Sequence, residues 1–60
     1  MAKFIVYQDA KKEWRWRLLQ VNGRVIADSG EGYTEKASAI KGIRSVKRCI
    51  CDAEITVVNV

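Results

Sequence analysis

Sixty residues amount to one domain, near the lower limit at which a single hydrophobic core outweighs conformational entropy without a disulfide, a metal or a second subunit. With 48% hydrophobic and 30% charged residues the chain is built to fold, which excludes intrinsic disorder. The formal charge of +4 attracts polyanions, but acids from Asp9 and Glu13 to Asp52 and Glu54 are interspersed with the bases and exclude a long basic tract.

In chain order, Lys3 to Gln8 is rich in β-branched and aromatic residues and predicts a first strand, ended by the polar turn Asp9-Ala10-Lys11-Lys12-Glu13. From Trp14 to Val21 apolar and polar residues alternate with period two, and Asn22-Gly23 offers the positive φ angles of a type I′ turn. A hairpin follows, with Arg24 to Ser29 as third strand. A two-residue loop places Val21 opposite Arg24, Leu19 opposite Ile26 and Arg17 opposite Asp28, the last a charge-complementary pair. Trp14, Trp16, Leu18, Val25 and Ala27 then share one face, with Gln20 and Ser29 near its ends. That face is the more apolar and is expected to be the core.

Gly30-Glu31-Gly32-Tyr33 breaks the sheet, and Thr34 is placed to cap a helix starting at Glu35 and running to about Ile50. Glu35 suits the positive end of the helix dipole. Ala39, Ile40, Ile43, Val46 and Ile50 recur at spacings of three and four, one stripe expected to cover the tryptophan face. Gly42 interrupts this helix at a cost of about 1 kcal/mol relative to alanine, which makes sense where the helix must approach a bulky ring. Lys41, Arg44 and Arg48 fall on the outer face. Glu54 to Val58 is again β-branched and predicts a fourth strand, which can return to its own sheet or cross to a neighbour. Without proline, Ser/Gly-rich linker or repeat, residues 1–60 read as a single unit.

The chemistry the chain can support is narrow. It has no histidine, and its two cysteines, Cys49 and Cys51, are too close for an unstrained bridge and closer than zinc-knuckle spacing. No Ser/His/Asp, Cys/His or paired-carboxylate constellation can be assembled, so no catalysis, cofactor or metal is expected. Lys47 and Arg48 would lower a nearby thiol pKa while the helix C-terminus would raise it, and both thiols are read as passive. Apolar runs of a few residues are far short of the ~20 needed to cross a bilayer. Free cysteines without a signal-peptide pattern point to the reducing cytosol. By elimination, the missing stabiliser is a second subunit.

Phe4-x-Val6-Tyr7-x-Asp9, Trp14-Arg15-Trp16-Arg17-Leu18, Asn22-Gly23-x-x-Ile26-Ala27-x-Ser29, Tyr33-x-x-Lys36 and Gly42-Ile43-x-Ser45-Val46-Lys47 together resemble the YegP-like family of small bacterial and archaeal proteins. The resemblance runs from Phe4 to about Asp52. Its specificity lies in the ordered set, since each motif alone is a generic hairpin or helix. Two features depart from the pattern: Lys12 stands where the family commonly has glycine, and the cysteine-containing tail has no match. The resemblance implies an α+β fold, a β-β-β-α-β unit whose antiparallel sheet carries one helix on one face. It also implies assembly as two subunits or two tandem repeats that exchange C-terminal strands into a continuous sheet. One repeat implies a homodimer, with Glu54, Ile55, Thr56, Val57 and Val58 as the exchanged strand. No established activity or small-molecule ligand comes with the family, so a non-catalytic interaction or assembly module is the expectation.

Nucleic-acid binding is the rival expectation. Arginines interleaved with tryptophans suggest base stacking and phosphate pairing, yet alternation in a strand sends rings and guanidiniums to opposite faces. What is left is a basic surface using Arg15, Arg17 and Arg24 on the sheet, or Lys41, Arg44 and Arg48 on the helix. Gly30-Glu31-Gly32 lacks the spacing and following lysine of a phosphate loop and reads as a turn. Lys36, unfavourable in a first helical turn, reads as a side chain lying along the sheet.

Overall fold

A computed structural model describes residues 1–59 of the chain. Three antiparallel strands in the order β1 (Lys3–Gln8), β2 (Trp14–Leu19), β3 (Val25–Asp28) form one sheet, and α1 (Lys36–Cys49) packs on one face and runs into a 3-10 turn at Ile50–Asp52. This is the α+β arrangement expected. β1 and β2 pair from Lys3 opposite Leu19 to Gln8 opposite Trp14. Phe4, Val6, Trp14, Trp16 and Leu18 therefore share the face beneath the helix, and Ile5, Tyr7, Arg15 and Arg17 the other.

The β2–β3 connection differs from a type I′ turn. Gly23 donates its N–H to Gln20 O at 2.9 Å and Gln20 donates to Arg24 O at 2.8 Å, enclosing three residues, of which only Gly23 has positive φ (88°). The extra loop residue shifts the register, Leu19 facing Val25, and a bulge at Ile26 shifts it back, so that Leu18 faces Ala27 and Arg17 faces Asp28. The expected Leu19–Ile26 pair is thus replaced, and Val25 moves off the tryptophan face. Beyond β3, Tyr33 exchanges backbone hydrogen bonds with Trp14 at 2.7 and 2.8 Å. That bridge holds the chain extended through Tyr33 and delays the helix. Glu35, not Thr34, is the residue before the first turn, with extended backbone (φ −124°, ψ 142°) and no side-chain cap.

The core is small: Trp16, Ala39 and Ile43 are buried, with Phe4, Val6, Trp14, Tyr33 and Val46 packed around them. Phe4 meets Trp16 edge to face, centroids 5.5 Å apart. The sheet-facing stripe is therefore narrower than predicted. Ile40 stays half-buried outside this cluster, and Ile50, at the start of the 3-10 turn, is exposed. Gly42 sits where a close approach demands it, since a Cβ there would lie 2.8 Å from Tyr33 Oη and 3.5 Å from Trp16 Nε1. The helix touches β1 and β2 but not β3. Glu54, Ile55, Thr56, Val57 and Val58 form no strand within the chain and are all exposed. β-branched patterning favours an extended conformation, but a strand exists only where a ladder partner is in reach, and none is paired with this segment here.

Candidate interaction surfaces

The outer sheet face is organised by the first turn. Asp9, at the end of β1, accepts N–H donors from Lys11 and Glu13 on Oδ1, both at 2.9 Å, while Arg15 Nε donates to Oδ2 at 2.6 Å. One carboxylate thus closes the turn and grips the next strand. Arg15 foremost, then the turn N–H groups, holds the Asp9 carboxyl below the usual carboxylate range. Lys12 adopts φ 64°, the left-handed conformation that glycine takes without strain. The Arg17 guanidinium lies 4.6 Å from the Tyr7 ring centroid, a cation–π contact, and forms no ion pair with the facing Asp28.

The six candidate polyanion contacts do not converge. Arg15 is matched by Asp9, Arg17 rests on Tyr7, and Arg24 lies past the hairpin turn, its N–H bonded to Asn22 Oδ1 at 3.0 Å. Lys41, Arg44 and Arg48 are exposed on the helix, which covers the opposite face of the sheet. Spacings of three and four put these three on one side of α1, where Lys41 and Arg44 line a shallow groove together with Glu35, Ser38 and Ile40. The sheet cations and the helix cations thus form two separate surfaces. Asp9 and Tyr7 were not singled out as partners of the arginines, although aspartate two residues before a turn N–H is a sequence signal for side-chain closure of the turn.

At the other end, Lys36 Nζ is 5.7 Å from the Trp14 ring centroid, so the lysine does lie along the sheet. Cys49 and Cys51 are free and exposed at the helix end. Among the described residues no group of three or more His, Cys, Asp or Glu side chains is placed to hold a metal ion. No described helix is long and apolar enough to cross a membrane. The remaining conspicuous surface is apolar: Val25 and Ile26 are about half exposed, and Ile55 and Val57 are 91% and 88% exposed.

These features define a small α+β protein of three antiparallel strands and one helix, with apolar surface in its last segment. The family model described as "Domain of unknown function (DUF1508)" matches residues 9–56. The chain belongs to this family, that of the UPF0339 or YegP-like proteins of unknown function. It is 45% identical over 59 residues to a UPF0339 protein of Methanosarcina acetivorans, covering 98% of this chain and 100% of that one. A UPF0339 protein of Agrobacterium fabrum is 50% identical over 48 residues, 80% of this chain and 76% of that one. Among solved structures, a Haloferax volcanii protein determined by NMR superposes with a TM-score of 0.89 at 49% identity, covering 95% of each chain. An Agrobacterium tumefaciens protein, also an NMR structure, gives 0.76 at 40% identity over 95% of this chain and 90% of that one.

Proposed function

We propose that the protein is a non-catalytic assembly module that works as a homodimer, with Glu54 to Val58 completing the partner's sheet. The observation that carries this is the amount of surface left open. A compact protein of 6.8 kDa exposes about 4,000 Å², whereas this chain exposes 5217 Å². The excess of about 1,200 Å² exceeds the roughly 800 Å² per partner of a standard interface. Its radius of gyration, 12.9 Å, likewise exceeds the ~10.4 Å of a compact 60-residue domain. Much of the excess belongs to a segment whose Ile55, Val57 and Val58 have no neighbours to bury them.

Sedimentation of the full chain tests the reading, with a dimer expected and a stable monomer contradicting it. Replacing Ile55 and Val57 together by aspartate is expected to yield monomer with helical circular dichroism retained. A variant that stays dimeric would remove the tail from the interface.

A second reading, polyanion binding, is favoured by the alignment of Lys41, Arg44 and Arg48 on one exposed helix side. Binding to an oligonucleotide would weaken with salt, and changing these three residues to alanine would lower the log–log salt slope by about two to three. Arg15→Ala with Arg17→Ala would leave it unchanged, because those guanidiniums are engaged on the far face. Absence of binding at low salt ends this reading.

A further inference from the structure

We infer that the outer side of α1 docks on the phosphate backbone of duplex nucleic acid without reading its base sequence, an inference that rests on the polyanion reading above and names its partner. α1 carries Lys36, Lys41, Arg44, Lys47 and Arg48 and no Asp or Glu. Among the described residues none of these five is in an ion pair, the pair present being Arg15 with Asp9 on the sheet. Ser38, Lys41, Ser45 and Arg48 recur at spacings of three and four, with Arg44 between them, so hydroxyls and cations share one side of the helix. Arg48 Nη2 donates to Ser45 Oγ at 3.3 Å, which holds that guanidinium on the same side. Every side chain in the row can donate a hydrogen bond, and Lys, Arg and Ser are the types that bind phosphate oxygens. From Ser38 to Arg48 the row spans about 15 Å, over which one strand of a duplex presents about four phosphates.

Other polyanions ask for groups that this surface lacks. Single-strand binding stacks bases on aromatic rings beside the cations. The five rings of this chain lie elsewhere: Phe4, Trp14, Trp16 and Tyr33 pack in and around the core, and Tyr7 lies under Arg17 on the far face of the sheet. Reading of base edges draws on Asn, Gln, Asp and Glu as well as arginine, and α1 contains none of those four. An anionic membrane surface needs an apolar face to insert, whereas Ile40, the one large apolar residue lining the groove, is half-buried. A duplex backbone, with one charge per about 1.7 Å, asks only for placed cations and donors. Glu35 lines the groove together with Lys41 and Arg44 at the start of the helix. Its carboxylate repels phosphate there and sets the backbone toward the Lys41–Arg48 end.

Fluorescence anisotropy of the full chain at low salt, with two labelled DNA duplexes of unrelated sequence and one of their strands alone, tests the assignment. Both duplexes are expected to bind within about 3-fold of each other and at least about 10-fold more tightly than the single strand, whose charge density is lower. Glu35→Gln, which removes a carboxylate that makes no cap hydrogen bond, is expected to tighten duplex binding by about 2- to 3-fold. A smaller margin over the single strand overturns the duplex assignment and leaves the polyanion reading standing. A larger preference between the two duplexes overturns sequence-blind docking. Unchanged or weaker duplex binding by Glu35→Gln moves the contact off the groove side of α1 and overturns its placement. Displacement of the duplex by polyglutamate at equal charge concentration overturns nucleic acid as the partner in favour of an acidic protein. No binding of any probe ends the polyanion reading, and the duplex assignment falls with it.

Discussion

Gly42 illustrates how much a single position can carry. Alanine there would gain about 1 kcal/mol of helix propensity, but its Cβ would lie 2.8 Å from Tyr33 Oη, an overlap relieved only by moving a ring tied by backbone bonds to Trp14. Overpacking of this kind costs about 1–3 kcal/mol, so Gly42→Ala is expected to destabilise by about 1 kcal/mol in urea unfolding. In a Tyr33→Phe background, where the hydroxyl is gone, the loss should shrink or reverse. Asp9 offers a second check through pH. Its carboxyl is held below the usual range by Arg15 first and by the turn N–H groups, so the stability it supplies is complete above the unfolded value near ~3.9. That contribution is lost as pH falls through the lower folded value. The gap in urea midpoint between the parent and Asp9→Asn should therefore be present at neutral pH and narrow below about pH 4. Gly42 could be read from sequence as a close approach to a ring. Asp9 could not be assigned to Arg15, because the pair meets only once β1 and β2 are in register.

At the scale of elements, the hairpin separates two kinds of information. The Asn22-Gly23 pair marked the turn and the strands on either side, and Arg17 does face Asp28. The loop type was not legible: a three-residue loop and a bulge at Ile26 return the register to the value that a two-residue loop would have given. Within this loop only Gly23 has positive φ, whereas a type I′ turn would require it of Asn22 as well. Gly23→Ala is accordingly expected to cost about 1–2 kcal/mol. Asn22→Ala, losing one exposed hydrogen bond to the Arg24 N–H, should cost about 0.5–1 kcal/mol. Equal large losses from both in thermal or urea unfolding would instead indicate the type I′ turn. The helix follows the same division. Its stripe was visible as Ala39, Ile43 and Val46, but Ile40 shares that periodicity outside the core cluster, and Ile50 falls in the exposed 3-10 turn.

At the scale of the molecule, three buried residues among those described are a small core for a chain that must offset the entropy of ordering nearly sixty. A second subunit supplies the missing burial in the proposed assembly, and mass action then links stability to concentration. Tm of the full chain is expected to rise over a roughly hundredfold range of protein concentration, and to become flat in the variant carrying aspartate at 55 and 57. A flat Tm for the parent in the range where it sediments as a mixture of monomer and dimer would separate folding from association. The basic surface also resolves at this scale. Net charge counts six candidate cations together, and in the fold, as strand alternation and the helix stripe imply, the sheet arginines and the helix cations face opposite ways.

Sequence alone determined the local and ordered features: the three strands, the tryptophan face as core, the helix with its glycine, and the family. These follow from side-chain periodicity and backbone preference, which act over a few residues. Tertiary structure decided what depends on distant groups meeting: the Asp9–Arg15 pair, Arg17 on Tyr7, the bulged register, the delayed helix start held by the Tyr33 bridge, and the two open edges. Glu54 to Val58 stands between the two, because its β-branched residues favour extension while its ladder partner must come from another part of a fold, and in this chain by itself none is paired with it.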